Sequence, residues 1–178
     1  MSGVNRRFLL RERPAGRIDD RTFELVEEPV PVIGEGEALV RTRWISLDPA
    51  NRAWLDDTPS YLPPVAIGDV MRASGLGEVV ASNSPGYPVG RLVVGRTGWQ
   101  DYAVASASAP MRATADLEGF IVLDHLNRAP EVLAQLAEWM AQHKLTAPET
   151  VVEGFEQLPV AVNMLFDGEN TGKLVVKL

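Results

Sequence analysis

The chain has 178 residues, 46% of them hydrophobic, with 24 acidic against 17 basic residues and no cysteine. Its length suits one domain or slightly more, and the lack of cysteine excludes disulfides, thiolate catalysis and every cysteine-containing zinc site. A net charge of −7 and a pI near 4.9, without any basic cluster, argue against nucleic acid or an anionic membrane as a partner.

The start, MSGVNRR, is followed only by Phe8-Leu9-Leu10 before Arg11, which is too short for the apolar stretch of a signal peptide. No apolar run approaches the roughly 18 to 20 residues of a membrane span, so the expected location is the cytoplasm. Residues 1–112 carry 13 Arg, no Lys and 14 acids, whereas 113–178 carry 4 bases and 10 acids. The arginines alternate with acids, as on a solvated surface.

In chain order, the pattern predicts strands in RRFLLRER (6–13), FELVEEP (23–29), EALVRTRWISL (37–47), VMRASGLGEVVAS (70–82), RLVVG (91–95) and GWQDYAVAS (98–106). Ala38, Val40, Trp44 and Leu47 nearly keep a two-residue period, and VIGEGE, YLPP and NSPGYPVG punctuate the runs. Many short strands with Gly-rich corners predict a mainly β, partly open barrel with a few helices. Gly75-x-Gly77 resembles the start of a dinucleotide fingerprint, but residue 80 is Val and VASNSPG runs into a turn, not a helix. Those glycines read as a bend in a barrel strand.

A seam follows. AVASASAPMRATAD (103–116) is built mostly of Ala, Ser and Thr, and beyond it the period changes. PEVLAQLAEWMAQHKL (130–145) predicts an amphipathic helix, with Pro130 at its first position and Val132, Leu133, Leu136, Trp139, Met140 and His143 at spacings of three and four. Its Leu133, Leu136 and Met140 face is expected to pack on the barrel. ETVVEGF reads as a short strand and turn, LPVAVNMLFDG (158–168) as a second helix stopped by Gly168, and KLVVKL as a last strand. The histidines, His125 and His143, lie 18 residues apart without ligand spacing, so no metal is expected.

SLDPANR (46–52), YLPPVAIGDVMRASGLGEVVAS (61–82), GWQDYAVAS (98–106), GFIVLDH (119–125), VVEGFEQLP (151–159) and GENTGKLVVKL (168–178) occur in that order. Together they resemble the medium-chain dehydrogenase/reductase superfamily, in its zinc-free branch of NADPH-dependent alkenal, prostaglandin and curcumin double-bond reductases. The resemblance implies that a Rossmann domain would lie between the third and fourth motifs, where this chain has only a short stretch. A cofactor domain of about 100 to 150 residues cannot fit there. The implied architecture is one GroES-like catalytic domain spanning 1–178, built from segments 1–106 and 119–178 joined at 107–118, without the Rossmann domain.

In such reductases NADPH delivers hydride to the β-carbon of an enal or enone, and a donor stabilises the enolate oxygen. The resemblance places Tyr61 in the substrate pocket as that donor; as a residue, it reads equally as a packing aromatic beside Pro63 and Pro64. Many relatives read DPYMR where this chain reads DPANR. Ala50 therefore replaces the expected tyrosine, leaving Asn51 or Arg52 as alternative donors. Asn170 in GENTGK, and Asp48 in the 46–52 loop, would meet the nicotinamide end of NADP(H); Asn170 also reads as an ordinary turn residue. No cofactor is expected to bind this chain alone, and the implied partner is a small apolar carbonyl compound held weakly. The surface left by the missing domain could also mediate self-association. Two other readings stay open, a non-enzymatic GroES-like assembly module and a half-enzyme complemented by a separate nucleotide-binding chain.

Overall fold

The computed structural model describes residues 3–58, 62–113 and 129–178. Each run read as a strand before the seam contains one: β1 (Val4–Leu10), β2 (Phe23–Pro29), β3 (Ala38–Leu47), β4 (Ser74–Ser82), β5 (Leu92–Arg96) and β6 (Tyr102–Ala105). A short helix, α1 (Pro49–Ala53), sits between β3 and β4, and a two-residue strand, β7 (Arg112–Ala113), follows β6. Beyond the seam come α2 (Ala129–Ala141), β8 (Glu149–Glu153), α3 (Leu158–Asp167) and β9 (Lys173–Lys177). The GFIVLDH motif and residues 114–118 of the seam lie outside the described residues.

β3 organises the main sheet, whose order is β7-β5-β4-β3-β9-β8. One edge of β3 pairs antiparallel with β4. The other edge is shared, since Ala38–Arg41 pair with β6 and Trp44–Leu47 pair with β9. β8 lies parallel to β9, and β1–β2 form a separate antiparallel pair. That pair is joined to the rest by bridges Arg7↔Gln100 and Leu9↔Val70. The fold is mainly β with three α-helices among the described residues, and its sheets stay open rather than closing into a barrel.

The glycines of β4 are there for packing. A Cβ on Gly77 would lie 2.4 Å from Val40 Cγ1 and 2.7 Å from the Arg41 carbonyl oxygen, and one on Gly75 would lie 2.4 Å from Thr97 Oγ1. β3 passes this close because its register with β4 shifts at Leu39/Val40 and again at Thr42/Trp44. Space that a pyrophosphate would need beside these glycines is filled by the neighbouring strands.

Two buried clusters hold the sheets together. The smaller joins Ala38, Val40, Val79, Val93, Ala103, Ala105 and Met111. The larger joins residues from both sides of the seam, with Phe8 stacked on Phe155 at 5.2 Å and edge-on to Trp99 at 6.0 Å. Arg6 braces the same junction: its Nε donates to Asp101 at 2.9 Å, its Nη1 donates to Glu156 at 2.6 Å, and its guanidinium lies 4.6 Å above the Phe155 ring. Hydrogen bonding to Asp101 raises the Arg6 pKa above its ordinary value. On the other side of the core, the Asn163 amide both donates to and accepts from the backbone of Ile18.

α2 departs from expectation. It ends at Ala141 rather than at residue 145, because His143 adopts a left-handed φ of 56° and Lys144 N–H turns back to the Trp139 carbonyl. Its apolar face does not pack on the sheet: Trp139 and Met140 are 42% and 47% exposed, and Leu133 and Leu136 only half-buried. A 3.6-residue apolar period specifies which face of a helix seeks cover, not which surface provides it. The thermal unfolding midpoint checks both findings. Gly77→Ala should cost about 1 to 3 kcal/mol through overpacking. Leu136→Ala should cost less than about 1 kcal/mol, not the roughly 2 to 5 kcal/mol of a fully buried leucine.

Candidate functional site

The run SLDPANR builds the end of β3, a helix cap and α1 in seven residues. Asp48 is an extended N-cap with Pro49 next to it, where a missing N–H costs nothing. Asn51, at the third helical position, accepts the Asp48 backbone N–H on Oδ1 at 2.6 Å. Its Nδ2 donates to the Arg72 carbonyl at 3.0 Å, and the residue is 1% exposed. Asn51 thus ties the N-terminus of α1 to the chain entering β4.

Arg52 is similarly engaged. Nε donates to the Gly16 carbonyl at 3.0 Å, Nη2 to the Pro14 carbonyl at 3.1 Å, and Nη1 to the Asp56 carboxylate at 2.7 Å. Arg13 reaches the opposite way, donating to the carbonyls of Leu55 and Val65 at 2.6 and 3.1 Å. Two arginines therefore lace the 11–17 loop to α1 and to the segment after it. Ala50 is half-buried on α1. Tyr61 lies outside the described residues.

The other half of the site comes from beyond the seam. Pairing of Leu47 with Leu174 brings Lys173 to Asp48. Lys173 Nζ forms an ion pair with Asp48 Oδ1 and donates to the Leu47 carbonyl at 3.2 Å, while Ser46 Oγ donates to Asp48 Oδ2 at 2.9 Å. Asn170 lies three residues before Lys173 and donates to the Gly172 carbonyl at 3.0 Å within its own turn. Asp48, Asn51 and Arg52 are thus one structural unit, linked to the Asn170 turn through Lys173. Lys173 belongs to the GENTGK motif, but nothing in its spacing announces a partner 125 residues away.

Between the chain entering β4 and the residues that follow β5 opens a cavity of about 410 Å³. Arg72 and Arg96 line it together with Val65, Val70, Asp69 and Gln100. The Arg72 guanidinium lies 5.2 Å from the centre of the Trp54 ring, and its Nη1 donates to the Pro63 carbonyl at 3.1 Å.

Comparison with known proteins gives a consistent picture. The family described as "N-terminal domain of oxidoreductase" matches residues 6–113, and the one described as "Zinc-binding dehydrogenase" matches 69–176. The chain is similar to the NADPH-dependent curcumin reductase of Escherichia coli (strain K12), 47% identical over 102 residues, covering 57% of this chain and 30% of the relative. It is also similar to prostaglandin reductase 1 of Oryctolagus cuniculus, 29% identical over 98 residues, covering 55% of this chain and 26% of the relative. These matches span about a third or less of the relatives' length. The crystal structure of CurA in complex with NADPH from Vibrio vulnificus shares the fold, with TM-score 0.86, 19% identity and coverage of 97% of this chain and 98% of that one.

The second family description names zinc, and the residues present do not suit it. There is no cysteine in the chain, and no group of three or more His, Cys, Asp or Glu that could hold a metal occurs among the described residues. Gly75 and Gly77 face packed strands, which leaves no room for a dinucleotide phosphate against them. Among the described residues no helix is long and apolar enough to cross a membrane. Asn51→Ala strips the partners from the Asp48 N–H and the Arg72 carbonyl, and should cost about 1 to 3 kcal/mol. Chemical denaturation would show it as a lower midpoint with an unchanged m-value.

Proposed function

The chain belongs to the medium-chain dehydrogenase/reductase superfamily, in its NADPH-dependent double-bond reductase branch, and from that premise we propose that it is the substrate-holding domain of such a reductase without its cofactor domain. Segments 1–106 and 119–178 act as one unit joined at 107–118. The observation that carries this reading is the pairing of β9 with β3. It unites residues from either side of the seam in one sheet.

The supported chemistry is recognition of an enal or enone. Tyr61 is the proposed hydrogen-bond donor to the carbonyl oxygen, where the enolate charge of the reaction develops. The side-chain nitrogens of the two alternatives, Asn51 and Arg52, already donate to backbone carbonyls or Asp56. Asp48 and Asn170 remain the proposed contacts toward a nicotinamide nucleotide. They stand near Lys173 at the surface, as an interdomain contact would.

Reduction needs donor and acceptor held together, and a single holder yields no rate advantage from proximity. This chain alone is therefore proposed to bind NADP(H) negligibly and to have no reductase turnover. A few exposed hydrogen bonds at about 0.5 to 1.5 kcal/mol each do not offset the cost of immobilising a dinucleotide. Calorimetric titration with NADPH should give no resolvable heat, and NADPH oxidation with an enone should stay at background. Turnover above background that falls on Tyr61→Phe would overturn the proposal.

The uncovered apolar face of α2 favours a second reading, a half-enzyme completed by a separate nucleotide-binding chain. Adding such a domain with NADPH should then restore enone reduction and shield Trp139, seen as a blue shift in its fluorescence. Neither effect occurs if the chain is an assembly module.

A further inference from the structure

Several arginines of this molecule are held by its own acids or carbonyls. Arg6, Arg7, Arg17, Arg21, Arg43 and Arg52 each have a carboxylate partner, and Arg13 is used up on backbone carbonyls. Arg96 is exposed, and it shares the cavity with Arg72.

The ladder between β4 and β5 explains how Arg96 meets Arg72. Ser74 is directly opposite Arg96, and the pairing runs on past the strand ends through Gly98 N–H to the Ala73 carbonyl and Trp99 N–H to the Met71 carbonyl. Arg72 and Ser74 are two residues apart on extended chain and so share a face. Arg96 and Arg72 therefore come from adjacent stretches of chain and line the same cavity. Gly98, next along the ladder, brings no side chain between them.

Resting on the reading of this chain as a substrate-holding domain, we propose that Arg72 and Arg96 form a carboxylate-binding subsite, so that the ligand is an aliphatic carbonyl compound bearing a carboxylate. Arg72 is pre-oriented: Trp54 lies under its guanidinium and the Pro63 carbonyl takes one Nη1 hydrogen, leaving its other donors for the ligand. A carboxylate fits two forked guanidinium donors in charge-assisted hydrogen bonds. Asp69 on the rim offsets one charge and leaves the cavity at +1 from its three charged residues. Val65 and Val70 form an apolar wall beside the arginines, which suits an acyl chain and gives inorganic phosphate nothing to contact.

Four probes with the whole chain test this: octanoate, methyl octanoate, the neutral enone pentyl vinyl ketone, and inorganic phosphate. Octanoate should bind at least about tenfold more tightly than its ester, and Arg96→Gln should remove most of that difference. Arg96 is exposed, so the variant should keep the wild-type unfolding midpoint and its affinity for pentyl vinyl ketone. Equal binding of acid and ester, octanoate affinity unchanged in Arg96→Gln, or phosphate binding as tightly as octanoate would each overturn the subsite. Arg96-dependent octanoate binding without any binding of pentyl vinyl ketone would leave the subsite standing and remove the enone reading instead.

Discussion

The shared edge of β3 is the constraint on which the rest depends. A strand has two edges, and β3 gives one to β4 and divides the other between β6 and β9. Because β9 takes the half from Trp44 to Leu47, the chain end lies beside the start of α1, and β8 is carried in parallel outside it. Phe155, Leu158 and Val162 then fall on Phe8 and Leu10 in the larger core. A slip of one residue between β3 and β9 would turn Leu174 and Val176 from the core to the opposite face, and would also part Lys173 from Asp48.

Alternation made β1 through β6 legible, since strands with one buried face carry their periodicity openly. The end of α3 was equally clear, because Gly168 takes the φ of 72° that a left-handed C-terminal stop requires. Features that join distant segments were less visible. The cap of α1 is written in Asp48, Pro49 and Asn51, yet its tie to the Arg72 carbonyl and the ion pair to Lys173 depend on how strands meet. The cover expected over Leu133, Leu136 and Met140 was inferred from periodicity alone, and periodicity carries no address. Tyr61 and the GFIVLDH motif lie where nothing structural is described.

The surroundings of α1 show how a mainly β fold can hold an irregular stretch still. Loop carbonyls at Pro14, Gly16, Leu55 and Val65 are each met by an arginine donor, and Asn51 serves two more backbone groups from a buried position. Buried or half-buried loop carbonyls need such partners when no strand lies alongside. The segment is thereby organised before any ligand arrives, which lowers the ordering cost of binding.

β8 ends the main sheet, with one edge on β9 and no strand on the other among the described residues. Its sequence, ETVVE, has an acid at each end. If a second copy docked antiparallel along that open edge about Val151, Glu149 of each strand would stand opposite Glu153 of the other, so two like-charge pairs would oppose a five-residue ladder. Like charges at both ends of an exposed edge strand oppose its pairing with a second copy, so the open rim carries its own barrier to edge-to-edge stacking.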